Sequence, residues 1–124
     1  MSIHGADSLR FDLVVPTEAR LGTPVPITLR LTNVSSGPVD AYFLGRDIAF
    51  DVVVTDEGGA VVWQRLAGRT VPSILQVRTL AAGEAMEWRD EWRPAAPGRY
   101  QVEGVLPSDA PAPRRSAPVT VTVR

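Results

Sequence analysis

The chain has 124 residues with thirteen arginines, no lysine, fourteen acidic residues and no cysteine, for a net charge of −1. Without a thiol there is no disulfide, thiol catalysis or thiolate metal site. The arginines are scattered, with Arg114-Arg115 the only adjacent pair, so no basic stripe invites a nucleic acid. One domain is the expectation for this length, with about two-thirds of the unfolded surface removed from water.

In chain order, apolar residues alternate with polar ones at a period of two, the signature of half-buried strands. Leu9, Phe11 and Leu13 share a face, with Arg10 and Asp12 opposite, and Pro16 ends the run. Val25, Ile27, Leu29 and Leu31 form the cleanest strand, broken by Ser35-Ser36-Gly37-Pro38. Pro38 to Leu44 is a third strand and Phe50, Val52 and Val54 mark a fourth. Asp56-Glu57-Gly58-Gly59 is a hairpin turn, because glycine supplies positive φ. The return strand runs from Ala60 to Arg65, with Val61 and Trp63 on one face.

The stretch from Leu66 to Leu80 is the least regular, with Ile74, Leu75 and Val77 suggesting a short strand inside it. After the turn Ala82-Gly83-Glu84, the residues Met86, Trp88 and Trp92 share a face opposite Glu87, Arg89 and Glu91. Tyr100 and Val102 follow a Pro-Gly turn, which suits a tyrosine corner, a hydroxyl returning to nearby backbone. Pro107 to Pro113 is a proline-rich loop predicted to be extended, and Val119, Val121 and Val123 close the chain.

Roughly seven to nine short strands at even spacing, with no helical stripe, predict an all-β fold: an immunoglobulin-like antiparallel β-sandwich. Ile27, Leu29, Leu31, Phe50, Val52, Val54, Trp88, Tyr100 and Val102 are its expected core. The whole of 1–124 reads as a single domain, with 1–7 a flexible tail. No stretch has the form of a signal peptide or the length of a membrane helix, so the expected location is the cytoplasm, with no membrane partner.

Catalytic chemistry finds no support. His4 is the single histidine and lies in the terminal segment, where no serine triad can be held. Asp40, Asp47, Asp51 and Asp56 match no calcium loop and read as solvated strand and turn residues. No glycine loop opens a helix to cradle phosphate. Asn33-Val34-Ser35 matches a glycosylation sequon but reads as the end of a strand. Trp63 and Trp88 read as core, whereas Trp92, at a strand end, could equally face a partner. No catalytic residue, cofactor or metal is therefore expected, and the chain is not expected to be an enzyme.

Five segments in this order resemble the BsuPI-type intracellular proteinase inhibitor family. They are Leu31 to Val39, Ala49 to Asp56, Gly59 to Trp63, Leu80 to Glu84 and Pro97 to Tyr100, which together span most of the chain. The resemblance implies an immunoglobulin-like sandwich that binds and inhibits intracellular serine proteases of the subtilisin type. It carries over no inhibitory residue. The alternative is a non-inhibitory interaction or assembly domain, an accessory module of a larger protein.

Binding residues on sandwiches sit on loops held by a rigid frame. Val71, Pro72, Ile74 and Leu75 form an apolar, irregular run suited to a protease cleft, which takes extended backbone as an added strand. Arg46 is the second expected contact, since arginine is enriched in binding hot spots. Pro107 to Arg115 is a third, proline-stiffened loop. The competing reading of 71–75 is an edge strand whose apolar residues cap the core.

Overall fold

The computed structural model describes residues 8–107 and 113–124. The expectations for the 1–7 tail and for the tip of the 107–113 loop lie outside the described residues. Among those residues are eleven strands: β1 (Leu9–Val14), β2 (Glu18–Ala19), β3 (Val25–Asn33), β4 (Val39–Leu44), β5 (Asp51–Thr55), β6 (Val61–Gln64), β7 (Leu75–Leu80), β8 (Ala85–Trp92), β9 (Gly98–Leu106), β10 (Arg114–Arg115) and β11 (Val119–Val123). Two of them, β2 and β10, are two-residue strands, too short for alternation to reveal. Arg114-Arg115 is thus a strand paired with β9, not part of a loop. Burial disfavours the charged form of Arg114 and lowers its pKa.

One sheet has the order β1-β3-β8 and the other β2-β11-β9-β5-β6, while β4 and β7 form a separate two-stranded sheet. Every pairing is antiparallel except β2 with β11. The fold is the expected immunoglobulin-like sandwich.

Its core follows from alternation. On β3, Val25, Ile27, Leu29 and Leu31 are buried while Pro26 and Arg30 are exposed. From the other sheet come Val52, Val54, Tyr100, Val102, Val121 and Val123. Fully burying one such side chain stabilises the fold by about 1.5–3 kcal/mol. Leu29 sits against Gly104 of β9, so closely that a Cβ there would lie 2.4 Å from a Leu29 δ-carbon. Ala41, Phe43 and Leu80 bring the third sheet onto the same core.

The tyrosine corner is present: the Tyr100 hydroxyl donates to the Ala96 carbonyl at 2.7 Å. Trp92 meets Tyr100 edge-on at 5.0 Å and is buried, so it is core and not a partner-facing residue. Trp88 is only half-buried, packed beside Phe43 at 5.7 Å.

Two further expectations need correction, and a third gains a role. Val61 and Trp63 do not share a face. A bulge pairs Thr55 with Val61 and Val54 with Trp63, so the extra residue, Val62, turns Val61 outward. Asp51 is not solvated: it is buried, with Oδ1 accepting from the Val52 and Leu66 N–H groups and Oδ2 from Gln64. Asn33 ends β3, as expected, and its buried side chain organises the turn beyond it. Its amide donates to the carbonyls of Gly37 and Leu80 at 2.8 and 2.9 Å, and its Oδ1 accepts from the Ser35 N–H and hydroxyl. That fully buried side chain ties the β3–β4 connection to the end of β7.

Candidate functional site

The β4–β7 sheet has two unlike faces. Register pairs Phe43 with Gln76, Tyr42 with Val77 and Leu44 with Leu75. Cross-strand partners share a face, so Ala41 and Phe43 go to the core while Tyr42, Leu75 and Val77 point to solvent. Tyr42 is 53% exposed, Leu75 46%, Val77 44% and the adjoining Ile74 39%. Four large apolar residues thus crowd one small sheet and its rim.

The structure brings Arg46 to the same end. The turn after β4 is clipped to the start of β7 by the Gly45 N–H, which donates to the Ile74 carbonyl at 2.9 Å. The Gln76 side chain donates to the Gly45 carbonyl at 2.6 Å and to the Arg46 carbonyl. Arg46 is exposed, and its backbone is held by Gln76 near the start of β7. Gly45 has φ of 100°, and a Cβ there would lie 2.7 Å from the Asp47 carbonyl, so the turn requires glycine.

Val71 and Pro72 lie in the run 69–74, which has no regular structure and leads into β7. Val71 is half-buried and Pro72 exposed. Of the run 71–75 only Leu75 belongs to a strand, at the start of β7, so the edge-strand reading holds for that residue alone. It is wrong about the side chains, since Ile74 and Leu75 do not join the core. Sequence reasoning missed Tyr42 and Val77. Tyr42 could have been found from its place between Ala41 and Phe43, because alternation exposes the middle residue of the three.

Two other surfaces are less suited to a partner. The outer face of β1-β3-β8 is laced with ion pairs, Arg30–Glu87 and Arg89–Glu87 at 2.9 and 3.0 Å among them. An open depression of about 370 Å³ beside the β5–β6 turn is lined by Asp56, Arg99, Gln101 and Thr120. Asp56 Oδ1 there accepts the Gly58 and Ala60 N–H groups, and Gln101 bonds Thr120, so much of its polar chemistry is already used. Among the described residues, no group of three or more His, Cys, Asp or Glu could hold a metal ion. No helix among them is long and apolar enough to cross a membrane.

Known structures agree with the fold. The CARDB domain of the PF1109 protein from Pyrococcus furiosus, solved in complex with di-metal ions, superposes with a TM-score of 0.51 at 12% identity, over 93% of this chain and 91% of that one. The alkylpurine DNA glycosylase AlkC of Pseudomonas fluorescens, solved bound to DNA containing an abasic-site analogue, gives a TM-score of 0.52 at 17% identity. That match covers 94% of this chain but only 30% of the glycosylase. No curated protein matches the chain in sequence. A family profile, however, matches residues 9–111, from the start of β1 past the end of β9. By that match, covering nearly all of the sandwich, the chain belongs to the BsuPI intracellular proteinase inhibitor family.

Proposed function

We infer that this chain is a single-domain inhibitor of a cytoplasmic serine protease of the subtilisin type, and that it has no catalytic activity of its own. The contact surface is the end of the β4–β7 sheet: Ile74, Leu75, Pro72 and Val71, with Arg46 beside them. The observation that carries the reading is the exposure of Ile74 and Leu75 next to a turn clipped to their own backbone. A pre-ordered surface loses little entropy on docking, and exposed apolar residues gain most from being covered. The family is one of proteinase inhibitors, which supplies the class of partner.

The test changes Ile74 and Leu75 together to serine, then measures folding and inhibition of a panel of subtilisin-type proteases separately. Both residues stand clear of the core, so the variant is expected to fold, with inhibition weakened by about tenfold or more if they are hot-spot residues. Normal folding with unaltered inhibition would move the contact to another surface.

A further inference from the structure

We propose that the protease is held by strand addition along the free edge of β7, through the main-chain groups of Leu75, Val77 and Thr79. The inference rests on the function proposed above and specifies its binding mode.

Antiparallel pairs alternate between residues that exchange hydrogen bonds and residues whose N–H and C=O groups point away from each other. The bond from the Gly45 N–H to the Ile74 carbonyl, next to the Leu44–Leu75 pair, fixes the phase. It makes Leu44–Leu75 a pair of the second kind, so the Leu75 N–H and C=O point away from β4. The register runs unbroken from Leu44–Leu75 to Val39–Leu80, so Val77 and Thr79 do the same. Among the described residues no other strand pairs with β7, and no turn or loop bond reaches these three residues. An exposed strand therefore offers donors and acceptors in ladder spacing.

Proteins usually blunt such an edge. Here β2 is only two residues long, β6 carries a bulge, β8 bears Glu87, Arg89 and Glu91, and the Ala49 N–H closes on the Leu44 carbonyl at the outer side of β4. β7 has no proline and no register shift. Its one charge, Arg78, belongs to the opposite face and is held by Gln76 Oε1 at 2.9 Å. Leu75 and Val77 lie at alternate positions and share an exposed apolar face with Tyr42.

The occupant that fits is the substrate-binding strand of a protease cleft. Such clefts hold extended chain by main-chain bonds and read alternate side chains in pockets. β7 supplies both parts, and it continues the Ile74–Leu75 surface.

Residue-resolved hydrogen exchange tests this with the intact protein and a catalytically inactivated subtilisin-type protease. In the free protein, the Gln76 and Arg78 amides should exchange slowly and those of Leu75, Val77 and Thr79 fast. In the complex, the latter three should slow by about tenfold or more, as expected for amides gaining a bond. As a second arm, Val77→Pro removes an edge N–H without losing a ladder bond. It should weaken inhibition by about tenfold, whereas Val77→Ala changes it far less. A stable inhibitory complex in which the three amides still exchange fast would overturn the strand-addition mode while leaving the inhibitor reading intact. So would equal inhibition by both Val77 variants. Concentration-dependent protection in the free protein would assign the edge to a second copy and overturn the proposal. If no complex forms with any subtilisin-type protease, the function itself fails, and this mode with it.

Discussion

Asn33 shows how much one buried polar side chain can organise. Both amide hydrogens and both sides of its carbonyl oxygen are engaged, by groups from the β3–β4 turn and the end of β7. Asn33→Ala leaves the Leu80 carbonyl and the Ser35 N–H without these partners, so a loss of about 2–4 kcal/mol is expected in urea unfolding. An amide so committed is also a poor target for sugar addition despite its sequon. At Leu29 the argument is steric. Leu29→Ala should cost about 2–5 kcal/mol, and Gly104→Ala about 1–3 kcal/mol by overpacking. The two are coupled, because the alanine at position 29 vacates the space that a Cβ at position 104 would need. In a double-mutant cycle, Gly104→Ala should therefore cost less in the Leu29→Ala background than alone; additive costs would show that the two sites do not meet. The Leu29 position was legible in the sequence from alternation. The roles of Asn33 and Asp51 were not, since a polar residue at a strand end looks alike whether water or backbone satisfies it.

Among the elements, β3 was the easiest to read because Val25, Ile27, Leu29 and Leu31 recur at every second position and one face meets the opposite sheet. The Tyr100 corner was readable too, from a tyrosine two residues after Gly98. Tyr100→Phe should lower stability by about 1 kcal/mol and leave inhibition unchanged, since the lost bond lies on the β8–β9 connection, away from β7. β6 and β7 defeated the same reasoning for different reasons. In β6 one bulged residue reverses the face of Val61. In β7 the alternation of Leu75 and Val77 marked a short strand but left open whether its apolar residues cap the core, and both face outward. A contact surface such as the one proposed would leave that kind of mismatch between pattern and burial in a sequence.

At the scale of the whole molecule, most ion pairs among the described residues lie at the surface. The ion pairs on β1, β3 and β8 are largely exposed, and each such pair contributes about 0–1 kcal/mol. Melting temperature should therefore vary little as salt rises. Because the proposed contact is mostly apolar and main-chain in character, with Arg46 and the Thr79-bonded Asp40 among its few charges, the inhibition constant should change by less than about threefold between low and high ionic strength. A steep salt dependence would instead point to the arginine-bearing faces as the contact.

The β4–β7 pairing has a consequence in time. These strands are neighbours in space but are separated in the chain by the whole β5–β6 hairpin. A non-local pair of this kind closes late, because chain entropy is lost before any contact rewards it. Until then the run from Arg69 to Leu80 is slack polypeptide, with the extended form a protease cuts. After closure the same residues are clipped at Gly45, Gln76 and Asn33, the ordered form in which the proposed contact would enter a cleft. Under the proposed function, a newly made chain would meet the protease as food or as a block according to a race between folding and cleavage.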